Sequence, residues 1–408
     1  MRIGRLAAVT VATLTLGGCW IQPGFGPTRQ GFTPFDGGTV STNVGALDVA
    51  WQRETVSFPN RPIVVGSRVV ITGGPRIMAL DASTGDTLWA RDHTDPIEPT
   101  YSPSLGDPVW RYDGRVHVAA NVFRFGGSFA YEIDTGVSTG SLGTGPSMIG
   151  APAFGPDSSA TVRGSFTPAG SLVELITTGV RGLVSFSTTP GSAPPITDPM
   201  LVDDQAWVGA GTRLMRFTLD ACSPIPAPFP PGYCFPSRTI TFAGNVETPA
   251  AIDSTRIAIT DSSGYLGVYD EDLDAVAWNA VIEGEPAAPA VANGTIVVAS
   301  STGRIYGFAA DGCGAPTCAP QWSGSIGGGV EHQPSVAGGV AYVATTSGAV
   351  LGFATDGCDA PTCPAIWIAD ANAAGADASP AAAPPVLAGG RIHVILRNGW
   401  MTSFARRD

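Results

Sequence analysis

The chain alternates short apolar runs with turn-forming residues, most cleanly between Pro62 and Trp89. Ile63, Val64 and Val65 precede Gly66-Ser67, and Val69, Val70 and Ile71 precede Gly73-Gly74-Pro75. Ile77 to Leu80 precede a polar turn, Asp81 to Gly85, after which Thr87, Leu88 and Trp89 open a fourth run. β-Branched residues suit buried strands, and Gly, Pro and Asp suit the turns between them. No helix of ordinary length fits between such turns, so the stretch predicts four short strands.

The pattern returns, more or less worn, up to the C-terminus. A second unit starts near Pro103, with a strand at Arg115 to Val118 and a turn at Tyr131 to Gly136; Gly140 stands where the terminal Trp would be. A third, from Pro152 to about Thr189, is the most degenerate and keeps strands at Leu172 to Ile176 and Leu183 to Phe186. A fourth opens near Pro199 and ends in a Pro-rich excursion from Cys222 to Cys234, and a fifth opens at Pro249 and closes on Trp278. The next two match residue for residue: Pro289, Gly303, Phe308, Cys313, Cys318 and Trp322 recur 45 residues later as Pro334, Gly348, Phe353, Cys358, Cys363 and Trp367. An eighth opens near Pro385 and stops after three strands, while Leu47 to Trp51 is a fourth strand without a unit. Repeated four-stranded units of this length predict an all-β, eight-bladed β-propeller of antiparallel blades over residues 45–408. The last blade is expected to close by pairing Leu47 to Trp51 with Met401 to Phe404, which removes an open sheet edge.

The turn has a specific spelling. Ala79-x-Asp81-x-x-Thr84-Gly85-x-x-x-Trp89 resembles the tryptophan-docking motif of propellers with pyrroloquinoline-quinone-type (PQQ-like) repeats. The resemblance implies that Trp89, with Trp278, Trp322 and Trp367 in later blades, packs between neighbouring blades. Asp81, Thr84 and Gly85 would set the turn that delivers the Trp, whose large area is buried in one contact. The resemblance covers about residues 47–404 and is closer to the non-enzymatic propeller lipoprotein of the outer-membrane β-barrel assembly machinery than to the quinoprotein dehydrogenases. Those enzymes bind the quinone over the channel, using a disulfide between adjacent Cys residues, a calcium ion and an Asp base. No two Cys are adjacent in this chain.

Ahead of the propeller, Arg2 and Arg5 precede an apolar run, Leu6 to Leu16, that is too short to span a bilayer. Leu16-Gly17-Gly18-Cys19 resembles the lipobox of bacterial lipoproteins, which implies a signal peptide over residues 1–18 and a lipid on Cys19. Residues 19–44, rich in Gly, Pro, Thr and Gln, read as a flexible tether. The other six cysteines fall into three local pairs, Cys222/Cys234, Cys313/Cys318 and Cys358/Cys363, and an oxidising compartment favours their oxidation. The C-x4-C loops lie between the third and fourth strands of their blades and would staple that hairpin, each contributing roughly 2 kcal/mol. A metal site is the competing reading, but neither loop carries a His.

Composition narrows the chemistry. All 22 basic residues are Arg, which excludes Schiff-base and P-loop lysine chemistry. A net charge of −12 disfavours nucleic acid or an anionic membrane surface as partner. Of the four His, His117 and His393 fall mid-strand and read as core residues. Glu331-His332 could do acid–base work at the channel, but neighbours in a strand point to opposite faces. Asp270, Asp272 and Asp274 have the spacing of a calcium loop, yet Ala275 replaces its Gly and Val281 its bidentate Glu. Asp203-Asp204 reads as a turn. The segments expected to face the channel, 289–293 and 334–338, are small and neutral.

The sequence therefore predicts no catalytic residue, cofactor or metal. It predicts a monomeric, lipid-anchored cell-envelope protein, facing the periplasm or exterior, whose propeller scaffolds or binds another envelope protein. The alternative is an exported quinoprotein oxidoreductase or small-ligand sensor, with a site on a longer loop such as Ser165 to Gly170 or Cys222 to Cys234.

Overall fold

The structure, a computed structural model, describes residues 20–34, 38–39, 41–93, 104–111, 113–122, 125–143, 147–155, 158–167, 170–177, 181–187, 193–219, 221, 233–270 and 276–406. Cys19, Cys222, Asp272 and Asp274 lie outside them, as does the expected signal peptide. Eight antiparallel four-stranded sheets form eight blades. Blade 1 runs outward from Ile63–Val65 through Arg68–Gly73 and Arg76–Asp81 to Thr87–Asp92. Blade 3, the most worn in sequence, still has four full strands, Ser147–Phe154, Ser159–Thr167, Gly170–Thr177 and Arg181–Ser187.

The ring closes as the sequence predicts. Leu47–Glu54 is the outer strand of blade 8 and pairs antiparallel with Trp400–Arg406, with Val49 opposite Phe404 and Arg53 opposite Met401. An irregularity between Val49 and Trp51 lets Trp51 turn inward, where it is buried.

The core lies in the seams between blades rather than in one central mass. Blades 5 and 6 meet through Val268, Trp278, Ile296 and Phe308. Blades 6 and 7 meet through Val297, Trp322, Val343 and Phe353. Alternation explains this: each strand presents successive residues to opposite faces, and both faces of a blade meet a neighbour. The strands accordingly read as near-continuous apolar runs, as in the fully buried Gln205–Ala210 of blade 4.

The expectation of a flexible tether over 19–44 is corrected for its described residues. Trp20 is 2% exposed and Arg29 1%. Residues 20–33 are laid along the innermost strands, inside the ring.

Candidate functional site: the channel and the blade seams

The N-terminal segment visits seven blades in order, about one backbone contact per blade. Trp20 exchanges two hydrogen bonds with Val64 of blade 1, at 2.7 and 2.9 Å. The Ile21 carbonyl accepts from Trp110 N–H in blade 2, and the Gln22 side chain bonds both backbone groups of Phe154 in blade 3. The carbonyls of Pro27, Thr28, Gln30 and Gly31 then accept from Leu201, Ala251, Val291 and Val336, in blades 4 to 7. Inner strands of a propeller leave one row of backbone groups facing the channel, and buried groups of that kind need partners. The segment supplies them. Gly31 shows how closely it is laid: its φ is +63°, and a Cβ there would stand 2.8 Å from the Pro334 carbonyl oxygen.

Arg29 pins this segment. Its Nε donates to Pro199 O, one Nη to Pro23 O, and the other to Ala151 O and Pro152 O, at 2.5 to 3.0 Å. Burial pushes its guanidinium down to about 10, partly offset by Asp198. Arg61 lies beside it and pairs with two carboxylates, Asp107 at 2.6 Å and Asp198 at 2.5 Å. Burial opposes the charge on Arg61, but Asp107 and Asp198 more than offset it and hold its proton more tightly than usual. Asp198, although buried, is kept below the usual carboxylate range by Arg61 and then Arg29, and it also accepts from Ala151 N–H.

A cavity of about 120 Å³ remains at this end of the channel, lined in part by Arg29, Arg61, Glu247, Glu331, His332 and Gln333. Burial, and then Glu285, push Glu247 up to about 7. Glu331 is paired with Arg397. Burial lowers His332, whose Nε2 donates to Ala381 O at 3.1 Å.

One sequence expectation is corrected here and one is extended. Segments 289–293 and 334–338 are small and neutral, but the channel mouth is lined by charged residues outside them. Glu331 and His332 line the same cavity, because they precede the inner strand Ser335–Ala337 and are not bound by its alternation. One signal for this lining is a residue that precedes a proline in or just before a blade's innermost strand. Arg61, Asp107, Ala151, Asp198, Thr248 and Gln333 each precede such a proline and line the cavity or bond to its walls. A following proline holds a residue extended.

The remaining histidines are scattered. His393 is fully buried in blade 8 against Trp51, neither ring nitrogen has a hydrogen-bond partner, and burial pushes it down to about 3. His117 lies 2.8 Å from Asp113, and His93 Nε2 2.5 Å from Tyr131 Oη. Asp203 and Asp204 form a turn, and Asp270 ends a strand.

Around the outside, the tryptophans form a belt. Trp51, Trp89, Trp278 and Trp322 each donate Nε1–H to a carbonyl of the next blade: Ala82, Ile133, Ala310 and Thr355, at 2.9 to 3.1 Å. Each ring lies on a left-handed glycine of that blade, Gly85, Gly136, Gly312 or Gly357, where a Cβ would come within 2.5 to 2.9 Å of it. Gly85 also has a second role beyond the turn expected of it. Asp81 and Thr84 do set the turn, through bonds to Ser83, Thr84 and Asp86. Gly85 closes the same turn, with φ +75° and its N–H on Asp81 O, and in addition receives Trp51 of the preceding blade. Trp367 donates instead to Leu47 O, where the N-terminal strand begins.

The disulfide loops also reach backward. Cys313–Cys318 and Cys358–Cys363 are bonded locally. Each loop adds a parallel bridge to the outer strand of the preceding blade. Asn279 N–H donates to Pro316 O and Asn279 O accepts from Cys318 N–H; Ser323 does the same with Pro361 and Cys363. Cys234, also disulfide-bonded, bridges Gly182 of blade 3, and the neighbouring Tyr233 bonds the buried Glu174. The loops therefore latch blade to blade as well as stapling their own hairpins.

Fold, belt and latches define an eight-bladed β-propeller of PQQ-like repeats. Residues 262–408 match the family model described as outer membrane protein assembly factor BamB. No curated protein matches the chain. Among solved structures, BamB from Moraxella catarrhalis is similar at a TM-score of 0.59 and 12% identity, over 88% of this chain and 97% of that one. A quinohemoprotein alcohol dehydrogenase, ADHIIG from Pseudomonas putida HK5, is similar at 0.60 and 12%, over 96% of this chain and 81% of that one. The C-terminal WD40 domain of Sif2 is similar at 0.64 and 11%, over 91% of this chain and the whole of that one. At such identities these likenesses show the fold alone.

Proposed function

We propose that the protein is a non-catalytic envelope scaffold, anchored through lipid on Cys19, whose propeller holds an assembly partner on its outer surface. One observation carries the reading: the channel, where a propeller of this kind would take a cofactor, is filled by the chain's own residues 20–33. The cavity described at its mouth is about 120 Å³, whereas sites for ligands of cofactor size run to roughly 300–1,000 Å³. The charges at its mouth are largely spent on each other, Arg61 on Asp107 and Asp198, and Arg397 on Glu331. The absence of an adjacent Cys pair, which the quinoprotein dehydrogenases place against the quinone, supports this reading. The match of residues 262–408 to an outer-membrane assembly factor supports the same reading. The test is to titrate the purified chain with pyrroloquinoline quinone and calcium, with an alcohol or aldose and an artificial electron acceptor present. The scaffold reading expects neither stoichiometric quinone binding nor acceptor reduction. Both together would establish the oxidoreductase instead.

A further inference from the structure

Three outer strands are equivalent in register. Asn279 faces Gly267 in blade 5, Ser323 faces Tyr306 in blade 6, and Ile368 faces Leu351 in blade 7; each follows the docking Trp. At Asn279 and Ser323 the backbone N–H and C=O point away from the sheet and are taken up by the Pro-Thr-Cys segment of the next blade's disulfide loop. Under its latch Ser323 is 8% exposed.

Blade 7 lacks this cover, for a topological reason. The next blade takes its outer strand from the N-terminus, so no loop joins its third strand to its fourth, and no C-x4-C loop is present there. By the shared register, Ile368 N–H and C=O point outward. Among the described residues neither has a hydrogen-bond partner. The side chain is also out of character. Asn279 and Ser323 are polar, whereas Ile368 is apolar and 67% exposed, with Ile366 at 36% beside it. An apolar residue on an open strand edge is what natural sheets ordinarily avoid.

We propose that the outer edge of blade 7 at Ile368 is a strand-addition site for an extended segment of a partner polypeptide. The segment lies parallel to strand Trp367–Asp370, as the latches do in blades 5 and 6. The site continues that line of filled edges by one blade, and the same chain shows the chemistry that fills it. Two backbone hydrogen bonds would go to Ile368, and a proline-containing turn of the incoming segment would cover its side chain. This rests on the scaffold reading and names the face and the form of its partner.

The probe is the oxidised peptide Gly-Cys-Asp-Ala-Pro-Thr-Cys-Pro, a copy of residues 357–364, carrying a fluorophore. Anisotropy on the full chain should show weak, saturable binding. Ile368→Pro removes the outward N–H but no ladder bond, since proline is tolerated on an edge in that orientation. It should weaken binding by about three- to tenfold, the worth of one hydrogen bond. Ile368→Thr, which keeps the N–H and loses apolar cover, should weaken it less and shows the effect if the proline variant does not fold. No saturable binding at millimolar peptide, or binding equal in both variants and the parent, overturns the proposal. Neither result bears on quinone binding, so failure here leaves the scaffold reading standing.

Discussion

The seam between blades 6 and 7 and the seam between blades 2 and 3 solve the same problem differently. At the first, Trp322 fills the gap, stacks near Phe353 and caps the Thr355 carbonyl, and the Cys358–Cys363 loop latches over Ser323. At the second, blade 2 offers Gly140 in place of the Trp, and a cavity of about 190 Å³ opens between the sheets. Arg111, His117 and Arg163 line it, with Arg111 over the Phe154 ring. Among the described residues no apolar cluster joins these two blades. Blade 3 is joined to blade 4 by an apolar cluster that includes Val173, Leu175, Leu201 and Phe217. Gln22 and Arg29 from the channel segment, and Glu174 bound to Tyr233 from blade 4, add polar ties. Among the described residues the seam between blades 2 and 3 is bridged by polar and aromatic groups, with the channel segment laid along its inner side.

This contrast can be broken from either side. Trp322→Ala should be the most damaging single change, costing about 3–5 kcal/mol by denaturant unfolding, because it empties a sealed seam. Arg29→Met should follow at about 3 kcal/mol, since it strands buried carbonyls of Pro199, Ala151 and Pro152. If the strap does hold blade 3, amide exchange in that variant should speed up first in residues 147–187.

The well-packed seam of blade 8 should impose a pH dependence. Folded His393 stays neutral down to about 3, whereas an unfolded His titrates near 6.5. Between these values the unfolded chain binds more protons. The stability is thus complete above about pH 6.5 and falls by about 1 kcal/mol per pH unit below it. His393→Leu should remove that part of the slope; an unchanged profile would show that His393 is not the cause. The smallest effect belongs to the open seam. Arg163→Leu should shift stability by less than about 1 kcal/mol, because it empties no packed contact there.

Much of this was legible in the sequence. The offset of 45 residues fixed two blades, the orphan strand at Leu47 forced the closure, and the Trp spacing marked the belt. The channel segment was not legible. It makes isolated bridges, one residue per blade, so it carries no alternation and its Gly and Pro read as a linker. Three members of the charged mouth, Arg61, Asp107 and Asp198, were present in the sequence as residues before a proline. They come from blades 1, 2 and 4 and so cannot be seen within any one repeat. The backward reach of the latches was hidden too, since spacing pairs the cysteines but does not say which strand their loop lies on.

The central claim is that residues 20–33 close the channel from within. Hydrogen exchange at the amides of Leu201, Ala251, Val291 and Val336 tests it most directly. These four N–H groups face the channel and donate to Pro27, Thr28, Gln30 and Gly31. The account predicts that in the intact chain they exchange as slowly as the sheet amides of their own blades. Rapid exchange at all four, with the sheets around them still protected, would mean the channel is open and would contradict it.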